Sequence, residues 1–300
     1  MDNEQRRGVL LALTAAALYA VNSPFSKLLL AHVPSTLMAG LLYVGAGLGV
    51  GLISIVRRIT GRNLDEKKIT KNELPYTVAM IVLDIAAPVF LMLGLTMTSA
   101  ANASLLNNFE IVATALIALL IFREKISKRL WLGIVSVTLS CLILSFEDIT
   151  ALYFSRGSIF VLLAACCWGL ENNCTRMLSS KDPMQIVLLK GIFSGGGSVI
   201  IGLVKGERIT EMWCIPCVLL LGFVAYGLSI YTYVYAQRLV GAARTSSYYA
   251  IAPFIGVFLS LIIFREIPGI SFFIALCFMF LGAWLASSDE PLENVFRRKK

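Results

Sequence analysis

The sequence consists largely of apolar blocks, each about twenty residues long. A helix rises about 1.5 Å per residue, so each block can cross a hydrocarbon core of about 30 Å. Hydrophobic residues make up 58% of the chain and charged residues 15%, whereas soluble domains average about 25% charged residues. The sequence therefore predicts an all-α, polytopic membrane protein. Its ten spans, numbered in chain order, are 8–30, 34–56, 74–97, 100–122, 128–146, 157–178, 184–204, 212–237, 243–264 and 269–287.

Positive charges are distributed unequally between the two sides of this arrangement. Of the 26 Lys and Arg residues, 20 lie in the termini and loops on one side and 5 on the other, with Lys190 inside span 7. Loops rich in Lys and Arg stay on the cytoplasmic side. Both termini are thus predicted to be cytoplasmic, in a multi-pass protein of the cell (inner or plasma) membrane. The net charge of +8 reflects this orientation, and no nucleic-acid partner is expected.

The chain repeats itself. Residues 100–124 align without gaps on 242–266, both beginning with Ala-Ala and ending with Phe-Arg-Glu, and Pro34 aligns on Pro183. Each half holds five spans, so the second half must enter the membrane from the opposite side. We assign residues 1–147 to a first five-helix repeat and 148–300 to a second, inverted one with a short cytoplasmic tail. Inverted repeats are typical of secondary transporters, although a symmetric bundle without transport remains an alternative.

Span 2 carries a glycine at every second position, at Gly45, Gly47, Gly49 and Gly51. The spacing resembles a dinucleotide-binding motif, but it lies in the middle of an apolar span. Read as two overlapping GxxxG faces, it predicts close packing against neighbouring helices.

Four ionisable residues lie within the spans: Asp84, Glu110, Glu171 and Lys190. Each would cost about 2.5–3.5 kcal/mol at a helix centre, so a functional role facing the protein interior is the default interpretation. The residues at the corresponding repeat positions are all uncharged: Tyr226, Ala252, Asn22 and Leu41.

Other polar and aromatic residues accompany these charges at helical spacing. Asn107 and Glu110 share one face of span 4, and Trp168 and Glu171 share one face of span 6. The predicted substrate-binding or coupling residues are Asp84, Asn107, Glu110, Trp168, Glu171, Asn172, Lys190 and Tyr249. Two alternatives stay open: polar stripes also hold helices together, and tyrosines near span ends also anchor at the membrane interface.

Depth along the spans predicts two pairs. Asp84 and Glu110 lie roughly 15 and 18 Å from the cytoplasmic ends of their helices, which predicts a proton-sharing centre. Glu171 and Lys190 lie level on consecutive antiparallel spans, which predicts an ion pair. This pair would be broken by an amino-acid-like solute or would be a permanent structural clamp.

Several of these residues resemble a known family. The two Phe-Arg-Glu repeat ends, the Trp168-Gly169 pair and Ala252-Pro253-Phe254 resemble the drug/metabolite transporter superfamily, in its EamA-type ten-helix branch. The resemblance covers nearly all of residues 8–287. It implies a central cavity between the halves and, usually, export of amino acids or related metabolites.

The expected function is secondary transport of a small metabolite. A membrane-embedded enzyme and a non-transporting sensor or structural protein are the alternatives. Intramembrane hydrolysis needs a Ser–His pair, two aspartates or a metal site, but the chain has one histidine, His32, in a short outer loop, and one aspartate within the spans. Hydrolysis is therefore disfavoured, and no catalytic residue, metal or cofactor is predicted. The expected partners are a small-molecule substrate and the lipid bilayer; protons as coupling ions and a homodimeric state are left open.

Overall fold

A computed structural model describes residues 3–60, 67–123, 126–148, 153–178, 181–240, 245, 248–265 and 268–287. These residues are almost entirely helical. The α-helices are α1 (Asn3–Ala20), α2 (Asn22–Leu29), α3 (Ser35–Ile59), α4 (Leu74–Met97), α5 (Ala100–Leu106), α6 (Phe109–Phe122), α7 (Lys128–Ser145), α8 (Arg156–Met177), α9 (Pro183–Leu189), α10 (Gly196–Val204), α11 (Cys214–Gly222), α12 (Ser229–Val240), α13 (Ala252–Phe264) and α14 (Ile270–Ser287). A 3₁₀ turn (Lys71–Glu73), two π-helical segments, π1 (Lys190–Gly195) and π2 (Phe223–Leu228), and a short antiparallel pair of strands, β1 (Phe146–Asp148) and β2 (Tyr153–Phe154), are also present.

The predicted polytopic membrane architecture is confirmed. Seven helical stretches within the described residues are long and apolar enough to cross a membrane: Asn3–Leu29, Ser35–Ile59, Lys71–Met97, Ala100–Ile121, Lys128–Ser145, Pro183–Val204 and Cys214–Ala236. The helices Ala252–Phe264 and Ile270–Ala286 are apolar but shorter. Helix α8 has 22 residues and carries Glu171 and two asparagines. The first residues of predicted span 9 and the tail beyond residue 287 lie largely outside the described residues.

Three spans are interrupted, although the sequence predicted one helix for each. Span 1 breaks between α1 and α2, where Pro24 cannot donate to the carbonyl of Ala20. Span 4 breaks at Asn107 and Asn108. Span 9 turns at residues 250–251, just before α13 begins at Ala252 with Pro253 in its first turn. The breaks in spans 4 and 9 fall one residue apart when the repeats are superposed. Spans 7 and 8 are instead distorted by π1 and π2.

Helix contacts follow the inverted repeat. Helix α4 packs along α8, and their repeat counterparts α12 and α1 pack in the same way. A Cβ on Gly157 would lie 2.9 Å from the backbone of Met97, and one on Gly8 would lie 2.9 Å from Cβ of Leu239. Gly157 corresponds to Gly8 and Met97 to Leu239, so the same contact closes opposite ends of the bundle.

The repeat extends to an unusual backbone conformation. Arg123 and Arg265 end α6 and α13 at corresponding positions, with φ of 55° and 52°. A left-handed conformation costs a residue with a Cβ about 1–2 kcal/mol, and helices usually place glycine there. Each half therefore accepts the same local strain at the same helix end.

The two glycine faces of α3 pack as predicted. A Cβ on Gly45 would collide with the backbone of Leu219 in α11. A Cβ on Gly47, on the other face, would lie 2.8 Å from Cα of Gly191 in π1. Helix α3 is thus wedged between spans 7 and 8, and its backbone touches both.

Glu207, in the loop after α10, caps the start of α3. The hydroxyl of Thr36 donates to its Oε1 at 2.6 Å, the N–H of Leu37 donates to its Oε2 at 3.0 Å, and Nζ of Lys205 lies 3.0 Å from Oε1. Burial disfavours the charged form, but these hydrogen bonds outweigh it and hold the pKa of Glu207 below its usual value. The contact ties spans 2 and 7 at the end of the bundle opposite the N-terminus.

Candidate functional site

An ionic cluster lies where α4, α8 and π1 meet. Nζ of Lys190 lies 2.8 Å from Oε1 of Glu171 and 3.0 Å from Oδ2 of Asp84. All three are buried, and Asp84 is 0% exposed. The structure therefore forms the predicted contact between Glu171 and Lys190 and adds Asp84 as a second acid.

Each carboxylate of the cluster also accepts a hydrogen bond from a hydroxyl group. Tyr43 of α3 donates to Oδ1 of Asp84 at 2.6 Å, and Thr175, one turn after Glu171, donates to Oε1 of that residue. An isolated charge at this depth would be strongly destabilising. Ion pairs offset that penalty when further hydrogen bonds satisfy the remaining oxygen atoms. In Asp84 the Tyr43 hydroxyl binds the oxygen that Lys190 does not contact, whereas in Glu171 the Thr175 hydroxyl and Lys190 contact the same oxygen.

Glu110 belongs to a second cluster, between α6 and α8. Nδ2 of Asn172 donates to Oε1 of Glu110 at 2.5 Å and lies 3.4 Å from Oγ1 of Thr114. Nδ2 of Asn173 donates to the carbonyl of Thr114 at 3.2 Å. Glu110 and Asn172 are partly exposed, unlike Asp84. Because Glu171 and Asn172 are adjacent in α8, this helix joins the two clusters.

Asp84 and Glu110, the acids of the predicted proton-sharing centre, contact different partners. Within the described ranges no hydrogen bond or ion pair joins the two carboxyl groups; Asp84 contacts Lys190 and Tyr43, and Glu110 contacts Asn172. An ammonium group stabilises a buried carboxylate, whereas a second carboxylate repels it. Similar depth in two helices does not place two side chains on facing sides.

A row of tyrosine rings connects the break in span 4 to the ionic cluster. Asn107 lies in that break, and its Nδ2 donates to Oη of Tyr19 at 2.9 Å. The ring of Tyr19 lies 5.8 Å from that of Tyr249 and 6.1 Å from that of Tyr226. The ring of Tyr226 lies 5.1 Å from that of Tyr43, the residue that donates to the buried aspartate.

The repeat counterparts of Asp84 and Glu171 also meet. They are Tyr226 and Asn22, and Nδ2 of Asn22 donates to Oη of Tyr226 at 3.2 Å. The scaffold thus contains two equivalent positions, of which one is ionic and the other neutral. The sequence showed that the counterparts are uncharged, but it gave no sign that they contact each other.

The structure places Trp168 in the main apolar core, 6% exposed, one turn before Glu171. Tyr43 contributes to the site but was not singled out by the sequence, because a tyrosine in an apolar span carries no signal of its own. Within the part of the chain that the structure describes, no group of three or more His, Cys, Asp or Glu side chains could hold a metal ion. The arrangement is suited to binding ammonium groups and exchanging protons.

Comparison with known proteins identifies the family. The family model described as the EamA-like transporter family matches residues 6–146 and 155–288. The chain belongs to the EamA-like transporter family. This family is part of the drug/metabolite transporter superfamily and has ten helices, so both the resemblance seen in the sequence and the fold are confirmed.

Two similar proteins are described as uncharacterised transporters. One, from Methanothermobacter thermautotrophicus, is 26% identical over 299 residues, covering 92% of this chain and 86% of that protein. The other, YyaM of Bacillus subtilis, is 22% identical over 224 residues, covering 71% of this chain and 73% of that protein. A solved crystal structure matches with a TM-score of 0.66 and 16% identity, covering 93% of this chain and 95% of its own; it supports the fold alone.

Proposed function

We propose that this protein is a secondary transporter, which exports an amino-acid-like metabolite, or a related solute, by alternating access. The observation that carries the proposal is the Lys190 ammonium held between Asp84 and Glu171 inside the membrane. Charged residues at this depth pair with one another and mark substrate or ion pathways. Helices interrupted at corresponding positions of two inverted repeats are a further sign of a central binding site.

The cluster would bind a solute ammonium group by exchange. Lys190 presents one ammonium to two carboxylates, so a solute ammonium that replaces it meets the same oxygen atoms. Glu110 of α6 adds a third carboxylate, which accepts a hydrogen bond from Asn172, the residue that follows Glu171 in α8. The substrate-binding and coupling residues in this proposal are Asp84, Asn107, Glu110, Trp168, Glu171, Asn172, Lys190 and Tyr249.

Protons are the coupling ions in this proposal. A proton on Asp84 or Glu171 removes one of the two attractions that hold Lys190, and it therefore loosens π1 from α4 or α8. Segments of π-helix are frequent at functional sites, and Lys190 is the first residue of such a segment. The alternative remains that the cluster is a permanent structural clamp.

The orientation, with both termini in the cytoplasm of a cell inner or plasma membrane, is part of the proposal and rests on the uneven distribution of Lys and Arg. On a cysteine-free background, Arg208→Cys should react with an impermeant thiol reagent in intact cells. Arg58→Cys, at the other end of the bundle, should resist it. Reaction of Arg58→Cys from outside would reverse the orientation.

Transport by purified protein in proteoliposomes tests the function. A panel of radiolabelled amino acids is offered with and without an imposed pH gradient. At least one should move faster with the gradient, and Lys190→Met should abolish this movement. Lys205→Met is the matched control, because it removes a lysine that follows the same span and also pairs with an acid, Glu207. Absence of any transport would favour the enzyme or sensor alternatives.

A further inference from the structure

Arg57 lies near the end of α3, and its guanidinium group is held by aromatic side chains. Nη2 donates to Oη of Tyr235 at 3.1 Å and also to Oη of Tyr231, and Nη1 lies 3.8 Å from Sδ of Met184. Cζ lies 4.9 Å from the ring centroid of Tyr231 and 5.6 Å from that of Tyr235. Helices α3, α9 and α12 therefore fix one guanidinium group together.

The observed partners of Arg57 are all uncharged. No acidic side chain pairs with it among the residues that the structure describes. Arg57 is partly buried, whereas the next residue, Arg58, is exposed. A guanidinium group stays charged at any physiological pH, and its planar fork binds a carboxylate through two parallel hydrogen bonds. Arg57 is thus a positioned positive charge that has not been neutralised by an acid.

The location of Arg57 relates it to the ionic cluster. Its contact Met184 precedes Lys190 by six residues in the same span, or roughly 9 Å along the axis. Arg57 therefore lies between the cluster and the membrane surface, at the end of the bundle that is cytoplasmic in the proposed orientation. An exported solute would reach this end first.

The two cations differ in their suitability for an anion. Lys190 already contacts two carboxylates, so an incoming anion would be repelled by both. The contacts of Arg57 with the described residues are made by hydroxyl groups, rings and a thioether, so an anion bound there meets no carboxylate among these contacts.

We propose that Arg57 is the subsite for the carboxylate group of the transported solute, and that Tyr231 and Tyr235 position it. The inference rests on the proposed function and deepens it, because it assigns the two charged groups of an amino-acid-like solute to two places. The carboxylate binds at Arg57, and the ammonium group faces the carboxylates deeper in the membrane.

Paired solutes that differ only in the carboxylate test this assignment. Affinities of the purified protein are measured for alanine and ethylamine, leucine and 3-methylbutylamine, and lysine and cadaverine. The wild type should bind at least one amino acid more tightly than its amine. Arg57→Gln should weaken binding of that amino acid about 10- to 100-fold and leave binding of the amine unchanged.

Arg58→Gln is the matched control, since it removes the same charge from the same helix end and should change neither affinity. Arg57→Lys keeps the charge but loses the fork, so its loss should be intermediate. Tyr235→Phe keeps the ring and removes one hydroxyl that holds the guanidinium group, and it should cause a smaller selective loss. If Arg57→Gln lowers the thermal midpoint of the ligand-free protein, the selective loss of amino-acid binding in Arg57→Lys and Tyr235→Phe tests the assignment instead.

Three results would overturn the assignment. One is that Arg57→Gln weakens binding of amino acid and amine equally, which would make Arg57 a structural clamp. Another is that no amino acid binds better than its amine. A third is that Arg57→Gln weakens binding of phosphatidylglycerol to the purified protein and leaves amino-acid binding unchanged. Amine transport that depends on Lys190 in proteoliposomes would preserve the proposed function while removing this inference.

Discussion

Lys190→Met removes the one ammonium group that Asp84 and Glu171 share, and it should be the most destabilising neutralisation in the cluster. Removing one partner of a buried ion pair typically destabilises a protein by about 3–5 kcal/mol, because the remaining charge stays buried. Lys190→Met leaves two such carboxylates, at 2.8 and 3.0 Å from the lost nitrogen. Its effect should therefore lie near the upper end of that range.

Neutralising either acid leaves the ammonium group with the other acid. Glu171→Gln preserves the contact of Lys190 with Asp84, and Asp84→Asn preserves its contact with Glu171. Each should therefore cost about 3 kcal/mol or less. The triple variant carries no charge in the cluster, so it should be more stable than Lys190→Met alone.

The free energy of unfolding in detergent, followed by tryptophan fluorescence, measures these differences. Trp168 reports on the site because it is buried in the same helix as Glu171. Lys205→Met removes a half-exposed ion pair and should cost less than about 1 kcal/mol. Additive losses in the combined variants, or a Lys190→Met protein as stable as Glu171→Gln, would refute the idea of a shared ammonium group.

Three further predictions concern packing, backbone strain and pH. Gly191→Ala places a Cβ against the backbone of Gly47 and should cost about 1–3 kcal/mol, whereas Gly196→Ala, with nothing within 4 Å, should be neutral or stabilising; equal unfolding energies would contradict the contact. Arg265→Gly should stabilise the protein by about 1 kcal/mol by relieving its left-handed conformation, and a lower thermal midpoint would show that the side chain contributes more than the strain costs. The folded-state pKa of Glu207 is lowered, so its stabilisation is present above the unfolded pKa of about 4.3 and is lost as pH falls through the folded value. The stability difference between wild type and Glu207→Gln should accordingly shrink in acid, and a difference that is constant with pH would rule this out.

The spans could be predicted because a bilayer demands long apolar helices, and the sequence shows them directly. The interruptions were harder to predict. Pro24 and Pro253 are visible as helix breakers, but the break at Asn107 and Asn108 depends on partners in other spans, such as Tyr19 for Asn107. Local sequence carries no information on those partners.

The site was predicted in part for a related reason. Depth along a helix follows from residue number, and this was enough to bring Glu171 level with Lys190. The direction in which a side chain points around the helix axis depends on packing, so the contact of Asp84 with Lys190 was not predicted. Arg57 was missed because a basic residue at the end of a span is first an orientation signal, and its tyrosine partners lie more than 170 positions away.

The symmetry of the scaffold and the asymmetry of its charges have a joint consequence for transport. If the two halves exchange shapes as we propose, the position occupied by Asp84 and Glu171 exchanges environments with that occupied by Tyr226 and Asn22. The first position loses ion pairs when it opens, whereas the second loses one neutral hydrogen bond.

The two conformations therefore differ in energy, and the ionic contacts favour the arrangement in which α4, α8 and π1 are packed together. A ligand shifts such an equilibrium only through its different affinities for the two states. A proton or a solute ammonium group has different affinities for the two states. It takes the place of Lys190 as the positive partner of Asp84 or Glu171, and these acids lie at the position that must open.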